Sequence, residues 1–377
     1  MKHNKLNKLC LAIAATGLVA GYTTAASAFT ITGGDNTKVD IYGYVKADVQ
    51  YDLGESLGTG PAADIGSVLT TPASKASQTN GHLNFTTAQT RLGFNFTQGT
   101  DMGDVKAKLE GDFAPGHYRI RHAYVEWQGV LVGQTWSNFT SWNDWADTLD
   151  WNGPSGHAGG FRHGQIRYTM GSSAGTMSVA LEQSQSVADL DGTGAKNQLP
   201  DLTARFEGKA GMINYAVGAM GRQFKTDTPN GDSDTANGWG AMANISIALD
   251  SGTTLRAGIL HGKGLGSYMY PGTFKGAYVD SAGKIQTLKQ TGANLSASQA
   301  LTSNSDLTLS YGYTKSDVDP MATATTHKKE QNAYLTYTIS PVKHLMYGVE
   351  FAHYWVTDEV GRTGNANRLQ FTAKYSF

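Results

Sequence analysis

Two groups of residues carry most of the chemistry open to this sequence. The first is basic. Arg119 and Arg121 stand two apart, Arg162 and Arg167 follow a long connection, and Lys46, Arg91, Arg205 and Arg368 occupy comparable places elsewhere. A guanidinium is a planar fork that matches carboxylates and phosphates, and rings of arginine or lysine select anions in pores. The second group lies in the segment 137–164, where Trp142, Trp145 and Trp151 sit beside Asp144, Asp147 and Asp150. Left on an outer surface, those indoles would meet water. Folded inward, the segment would bury them and bring the acids to a basic wall, so 137–164 is a candidate constriction loop. Long connections without periodicity tend to be functional. A second reading stays open for each group: the arginines could simply pair with nearby carboxylates and hold the structure round, and the tryptophans could stack sugar rings. Indole spacings of three and six on one loop fit a packed loop core better than a sugar track.

Other chemistries are less well supported. Gly171-Ser172-Ser173-Ala174-Gly175 matches G-x-S-x-G, but a nucleophile elbow needs a helix after the serine, and here a strand pattern follows. His117, His122, His157 and His163 lack zinc-ligand spacing, and no glycine-rich phosphate loop is present. The sequence calls for no metal, cofactor or catalytic residue, and the chain is not read as an enzyme.

The elements that would position these residues show a period of two, the strand signature. Val39, Ile41, Gly43, Val45, Ala47, Val49 and Tyr51 oppose Asp40, Tyr42, Tyr44, Lys46, Asp48 and Gln50. Val105 to Phe113, Trp239 to Leu249 and Leu369 to Phe377 alternate in the same way. Tyr118 to Gln128 carries charges on both faces, and Thr287 to Gln299 is nearly all polar. Glycine is abundant, 46 of 377 residues, while only 16% are charged. The mean hydropathy of −0.34 is too polar for membrane helices, which need ~20 consecutive apolar residues. The formal charge of −1 gives no reason to expect a nucleic-acid partner.

The N-terminus reads as a secretory signal peptide, removed at about residue 28. Lys2, Lys5 and Lys8 precede an apolar run from Leu9 to Ala20, and Ala26-Ser27-Ala28 is an A-x-A site. Cys10, the only cysteine, lies inside it, so the exported chain cannot rely on disulfides. Residues 29–377 then form a single domain. Ten-residue strands suit a tilted bilayer crossing, and Tyr347, Phe351, Trp355, Tyr311 and Tyr313 suit aromatic girdles. Connections sort by length. Gln98–Gly103, Gly171–Gly175, Ala210–Met212, Asp250–Gly252 and Ser340–Lys343 are tight, whereas 53–81, 186–200, 225–237, 262–286 and 316–329 are long. A soluble sandwich has no reason to sort its loops this way. The predicted fold is all-β: a transmembrane antiparallel barrel of about sixteen strands, with short periplasmic turns, long outer loops and one loop in the lumen. Turning Lys106 and Lys108 toward lipid would cost roughly 2–4 kcal/mol each at the midplane, so the polar face points to a wet lumen. A barrel of that size leaves an aqueous channel.

Arg119-Ile120-Arg121-His122-Ala123-Tyr124, Leu131-Val132-Gly133-Gln134-Thr135-Trp136-Ser137-Asn138-Phe139, Gly153-Pro154 and Gln165-Ile166-Arg167-Tyr168-Thr169 together resemble the DcaP-like outer-membrane porin family. Ile41-Tyr42-Gly43-Tyr44-Val45-Lys46 is similar to that family's first strand, and Tyr375-Ser376-Phe377 resembles the terminal signal of outer-membrane barrels generally. The resemblance implies a trimeric sixteen-stranded channel of the Gram-negative outer membrane that admits small anions, notably dicarboxylic acids, with Arg119, Arg121 and Arg167 lining the pore. Some members carry a helical segment before the barrel. Residues 29–38 are too few for one, so a homotrimer would be held by barrel walls alone. The expected function is passive diffusion of small hydrophilic solutes with a preference for anions, and the expected partners are membrane lipid, lipopolysaccharide and those solutes. Alternatives are a non-selective or sugar-preferring porin and, in a different class, an outer-membrane adhesin, structural barrel or lipid hydrolase.

Overall fold

Alternation along the chain becomes sixteen antiparallel strands that close on themselves in a computed structural model describing residues 29–377 except 35, 77, 78 and 228–232. The predicted leader, with Cys10, lies outside the described residues. The wall strands are β1 (Thr37–Asp52), β2 (His82–Thr86 continued by Arg91–Gln98), β3 (Val105–Asp112), β4 (Arg119–Trp127), β5 (Val130–Trp136), β6 (Arg162–Ser172), β7 (Gly175–Glu182) and β8 (Asp201–Ala210). They continue as β9 (Ile213–Asp227), β10 (Ser233–Ala248), β11 (Thr253–Lys263), β12 (Lys289–Thr302), β13 (Ser305–Ser316), β14 (His327–Val342), β15 (Leu345–Asp358) and β16 (Thr363–Ser376). Each pairs with the next, and β16 returns to β1 from Tyr44↔Ser376 to Asp52↔Arg368. The short strand Phe29–Thr32 pairs with Lys38–Ile41, beyond the end of β16.

Facing follows the sequence. On β1, Lys46, Asp48, Gln50 and Asp52 are buried inside, while Val45 is exposed outside. Ile166, Ile259, Leu295 and Leu309 continue the outer apolar band. Bare strand edges would leave unpaired N–H and C=O groups in lipid at several kcal/mol each, and closure removes them.

One irregularity explains the ambiguous stretch around residue 120. Glu110 of β3 pairs with His122, but the adjacent Gly111 pairs with Ile120, so Arg121 is an extra residue on β4. Such a bulge re-aims side chains. Arg119, Arg121 and His122 all meet the interior, while Ile120 and Val125 face out. The polar stretch at 287–299 is also a wall strand, β12, whose Leu295 keeps the outer band unbroken.

Connections at one end are tight. Gln128 and Gly129 both have positive φ, 48° and 81°, as a two-residue hairpin turn of matching twist requires. Gly171–Gly175, the G-x-S-x-G match, is another tight connection, between β6 and β7, with a strand on each side. The opposite end carries the long connections, with one correction. The stretch 225–237 is mostly wall, because β9 runs to Asp227 and β10 starts at Ser233 with full pairing. Its small polar residues satisfy a ladder as well as they would a loop.

Among the described residues three neighbouring connections, not one, fold against the inner wall, joined by Asp189 and Leu190 of a fourth. Leu57, Ala63, Ile65 and Val68 of the 53–81 connection pack on Tyr334, Ala352, Tyr354 and Val356. Phe139 and Ala158 share a second core with Leu265, Tyr268 and Met269 of the 264–288 connection and with Met220, Met242 and Leu260 of the wall. Backbone hydrogen bonds tie the three together: Trp151 N donates to Pro61 O at 3.3 Å, and Gly156 N to Tyr270 O at 2.9 Å.

Candidate pore constriction

The bulge on β4 builds a highly charged spot on the inner wall. Arg121 donates from Nε to Glu110 Oε1 at 3.0 Å and from Nη1 to Asp112 Oδ2 at 2.6 Å. Arg119 Nε donates to Asp112 Oδ1 at 2.7 Å, and Arg91 Nε lies 3.4 Å from Glu110 Oε1. Tyr42 donates to the second oxygen of Glu110 at 2.7 Å. Two tryptophans flank the cations, which attract the negative face of an aromatic ring. Trp151 carries Arg119 and Arg121 at 5.4 and 4.9 Å, and Trp136 carries Arg121 and Arg162 at 5.3 and 4.6 Å. Arg121 is 1% exposed, whereas the Arg119 side chain is 35% exposed. Arg162 has no carboxylate within ion-pair distance among the described residues. Four arginines and Lys108 thus surround two carboxylates, leaving a net positive site with Arg119 and Arg162 as its accessible cations.

The 137–161 connection reaches this cluster because the wall holds its backbone. Glu350 of β15 accepts Leu149 N at 2.7 Å and Asp150 N at 2.9 Å. Lys46 Nζ and Gln370 Nε2 donate to Leu149 O at 2.8 and 3.1 Å. Asn332 Oδ1 accepts Ser155 N at 2.9 Å, Tyr334 donates to Gly153 O at 2.9 Å, and Glu182 Oε1 accepts Asn138 N at 2.6 Å. Side chains of the wall therefore satisfy peptide groups of a segment that has few partners of its own, as buried backbone requires. The indoles pack with one another: Trp136 on Trp142 at 5.1 Å, Trp142 on Trp145 at 4.8 Å, and Trp145 on Tyr270 at 5.2 Å. Of the three indoles within 137–161, Trp151 is the one that turns to the arginines.

The acids of this segment do not face the arginine cluster. Asp144 accepts from Asn294 at 2.8 Å and lies 3.1 Å from His157 Nδ1; Asp147 pairs with Arg256 Nη2 at 3.0 Å. Asp150 accepts from Ala63 N and Asn152 N, at 2.7 and 2.8 Å. Burial pushes the Asp147 and Asp150 carboxyls up, opposed chiefly by Arg256 and Arg368 respectively. The expected opposition of loop acids to wall arginines is thus corrected in part: Asp147 does meet a wall arginine, Arg256, but among the described residues no loop acid pairs with Arg119 or Arg121. The loop acids bind the opposite wall and the neighbouring connection, and the arginines are matched by Glu110 and Asp112 from the adjacent strand. The remaining basic residues divide. Lys46 and Arg368 are buried beneath the connections, Arg368 in a two-pronged pair with Asp52, so neither presents a free charge to the lumen. Arg205 donates to Thr140 O and lies 3.3 Å from Glu207. Arg167 is half-buried with no acid in ion-pair range among the described residues.

Comparison places this architecture. The sequence profile of the DcaP outer membrane protein family matches residues 5–377. The chain belongs to that family. No curated protein sequence matches it. The crystal structure of the outer membrane channel DcaP of Acinetobacter baumannii is 26% identical and superposes with a TM-score of 0.80, covering 92% of this chain and 99% of that one. An anion-selective porin from Comamonas acidovorans shares the fold at 14% identity, TM-score 0.58, over 90% of this chain and all of that one. The trimer form of OmpT from Vibrio cholerae does so at 9% identity, TM-score 0.56, over 90% and 99%. This DcaP family member is therefore an outer-membrane channel protein of a Gram-negative bacterium.

Several residues of this DcaP family barrel that organise the site escape sequence reading. Glu110 and Asp112 sit on the predicted inner face of β3, yet only the bulge makes them partners of Arg121. Glu350, Asn332 and Arg256 act on a segment about a hundred residues or more away, and no local pattern marks that. Glycine does leave a signal. Gly156 (φ +95°) presses against the wall so closely that a Cβ on it would lie 2.5 Å from Ala293 O and 2.6 Å from Tyr313 O, and one on Gly312 would collide with Ser155 N. Gly312→Ala is expected to lift the 153–156 stretch off the wall and make it protease-sensitive while the sheet stays intact. Limited proteolysis of the folded barrel checks this, and an unchanged cleavage pattern would contradict it.

Proposed function

We propose that this protein is a passive channel favouring small anionic solutes, dicarboxylates included, with 137–164 as its constriction loop. The observation that carries the reading is the net positive cluster of Arg91, Arg119, Arg121 and Arg162 about Glu110 and Asp112, with Trp151 brought against it by the loop. The structural role of arginine pairing is also present, in Arg121 and Arg368. What supports selectivity is Arg162, which has no ion pair among the described residues, together with Arg119, which is partly exposed beside its two-pronged pair with Asp112. Binding there must be weak enough for release, and two accessible cations beside a screened pair suit that. Arg167 and Arg205 would extend the basic wall toward the tight-turn end. The sugar reading has less support, since Trp142 and Trp145 spend their faces on each other and on Tyr270.

A homotrimer belongs to the same proposal. Wall strands β3, β4, β5 and β7 span only 7–9 residues against 14–16 in β14, β15 and β16. A low wall suits burial against neighbouring barrels rather than a full lipid layer.

Reversal potentials in planar bilayers under a salt gradient test the reading. Wild type is expected to prefer anions. Arg162→Ala should lower that preference about fivefold, because a charge acting at ~4 Å in water is worth about 1 kcal/mol. A cation preference in wild type would sink the proposal.

A further inference from the structure

The long-loop end of the barrel carries a row of lysines on its outer face, which the channel reading does not use. Lys263, Lys289, Lys315 and Lys329 stand on four consecutive strands, β11 to β14. Lys263 is directly opposite Lys289 in the ladder, and Lys315 is directly opposite Lys329. Lys315 is opposite Thr291, which places it diagonally from Lys289. All four have the parity of the exposed residues Ile259, Leu295, Leu309 and Leu335, so they stand on the lipid side of the sheet.

Like charges directly opposite in a ladder destabilise it, and this row has two such pairs side by side. Among the described residues none of the four makes an ion pair. Glu330, next to Lys329, is buried on the inner face against Thr273 and His327. Asp317, two residues from Lys315, has its amide bonded to Lys289 O at 2.9 Å but its carboxylate in no ion pair with the four. Beneath the row lie His261, Thr291, Tyr313 and Gln331, and Trp239 meets His261 edge-on at 5.9 Å. Beneath those come Ile259, 57% exposed, and Tyr311, and one step deeper Leu309, 60% exposed. The order from the rim downward is cation, amphipathic ring or amide, hydrocarbon. That is the profile of a bilayer interface, and it sets the ammonium groups at headgroup level. Strands ~4.8 Å apart spread the four charges over about 15 Å, wide enough for a headgroup bearing more than one anion.

We infer that this row binds the phosphorylated headgroup of an outer-leaflet lipopolysaccharide, one headgroup bridging Lys263–Lys289 and Lys315–Lys329. A single anionic headgroup relieves both like-charge pairs at once, and the apolar face below takes the acyl chains. The site lies on the tall wall, away from the short strands, and stands whether or not the pore prefers anions.

The test is native mass spectrometry of the purified full-length channel titrated with lipopolysaccharide, with the same lipid stripped of phosphate, and with inorganic phosphate alone. Wild type should retain the phosphorylated lipid. The variant Lys263→Gln/Lys289→Gln/Lys315→Gln/Lys329→Gln should retain it roughly tenfold less or weaker, with unchanged single-channel conductance as proof of folding. Lys209→Gln/Lys343→Gln, near the tight-turn end, should bind like wild type. If the fourfold variant does not assemble, its two halves, Lys263→Gln/Lys289→Gln and Lys315→Gln/Lys329→Gln, are each expected to lose retention. Equal retention by the lysine variants, equal binding of the phosphate-free lipid, or displacement by millimolar inorganic phosphate would each overturn the assignment.

Discussion

Glu350→Leu is expected to turn a steady open channel into one with a noisy current and frequent partial closures. Glu350 accepts the amides of Leu149 and Asp150, and Thr336 Oγ1 donates to it at 2.5 Å. Leucine fills similar space but accepts nothing, so two buried N–H groups lose their partner. Each unsatisfied donor costs about 1–3 kcal/mol, and together that is a large part of what holds this stretch to β15. Lys46 and Gln370 still grip Leu149 O from β1 and β16. The stretch therefore stays tethered on one side and swings on the other, and Trp151 moves with it away from Arg119 and Arg121. The sheet itself loses no ladder hydrogen bond, so heat-resistant migration of the barrel should survive. Single-channel recording checks the expectation, and a current trace as quiet as wild type would refute it.

The second large effect is on stability. Arg368→Ala should cost about 3–5 kcal/mol, the usual penalty for stranding a buried charge. Arg368 meets Asp52 with Nε–Oδ1 at 2.6 Å and Nη2–Oδ2 at 3.0 Å, and also donates to Gly58 O at 3.0 Å. Arg368 is 1% exposed and Asp52 is 3%. They stand opposite each other across the closing seam between β16 and β1. The double variant Asp52→Leu/Arg368→Met should recover only part of the loss, because the paired charges go together while Asp150 still loses the nearby Arg368 and Leu57 N loses its acceptor. Urea unfolding monitored by tryptophan fluorescence distinguishes the two variants. A single variant within about 1 kcal/mol of wild type would show that the seam does not need the pair.

Barrel class, facing and strand number are legible in the sequence because each rests on a local rule. Period two fixes facing, and the alternation of tight and long connections fixes the two ends. The inward course of the 137–161 segment is legible for a related reason: three indoles in one loop need somewhere dry. The partners are not legible. Asp147 meets Arg256 and Leu149 meets Glu350 only because barrel closure brings distant strands round one lumen. The 53–81 connection shows the same limit, since Leu57, Ile65 and Val68 are too sparse to announce that they pack inward. Residues 225–227 and 233–237 show the opposite error, a polar sequence that is wall because a rim ladder above the hydrocarbon layer tolerates polar residues on both faces. At Tyr118 to Gln128 the rule itself is broken, and the break coincides with the charged site.

That break at Arg121 has a genetic consequence. Deleting the single codon for Arg121 would leave Arg119, Ile120, His122 and Ala123 in perfect in-out alternation and restore a regular ladder with β3. The shortened chain would be a more orderly barrel than the natural one. It would also leave Glu110 and Asp112 with one central cation fewer, so the charge balance of the site is set by a residue that the fold alone does not need.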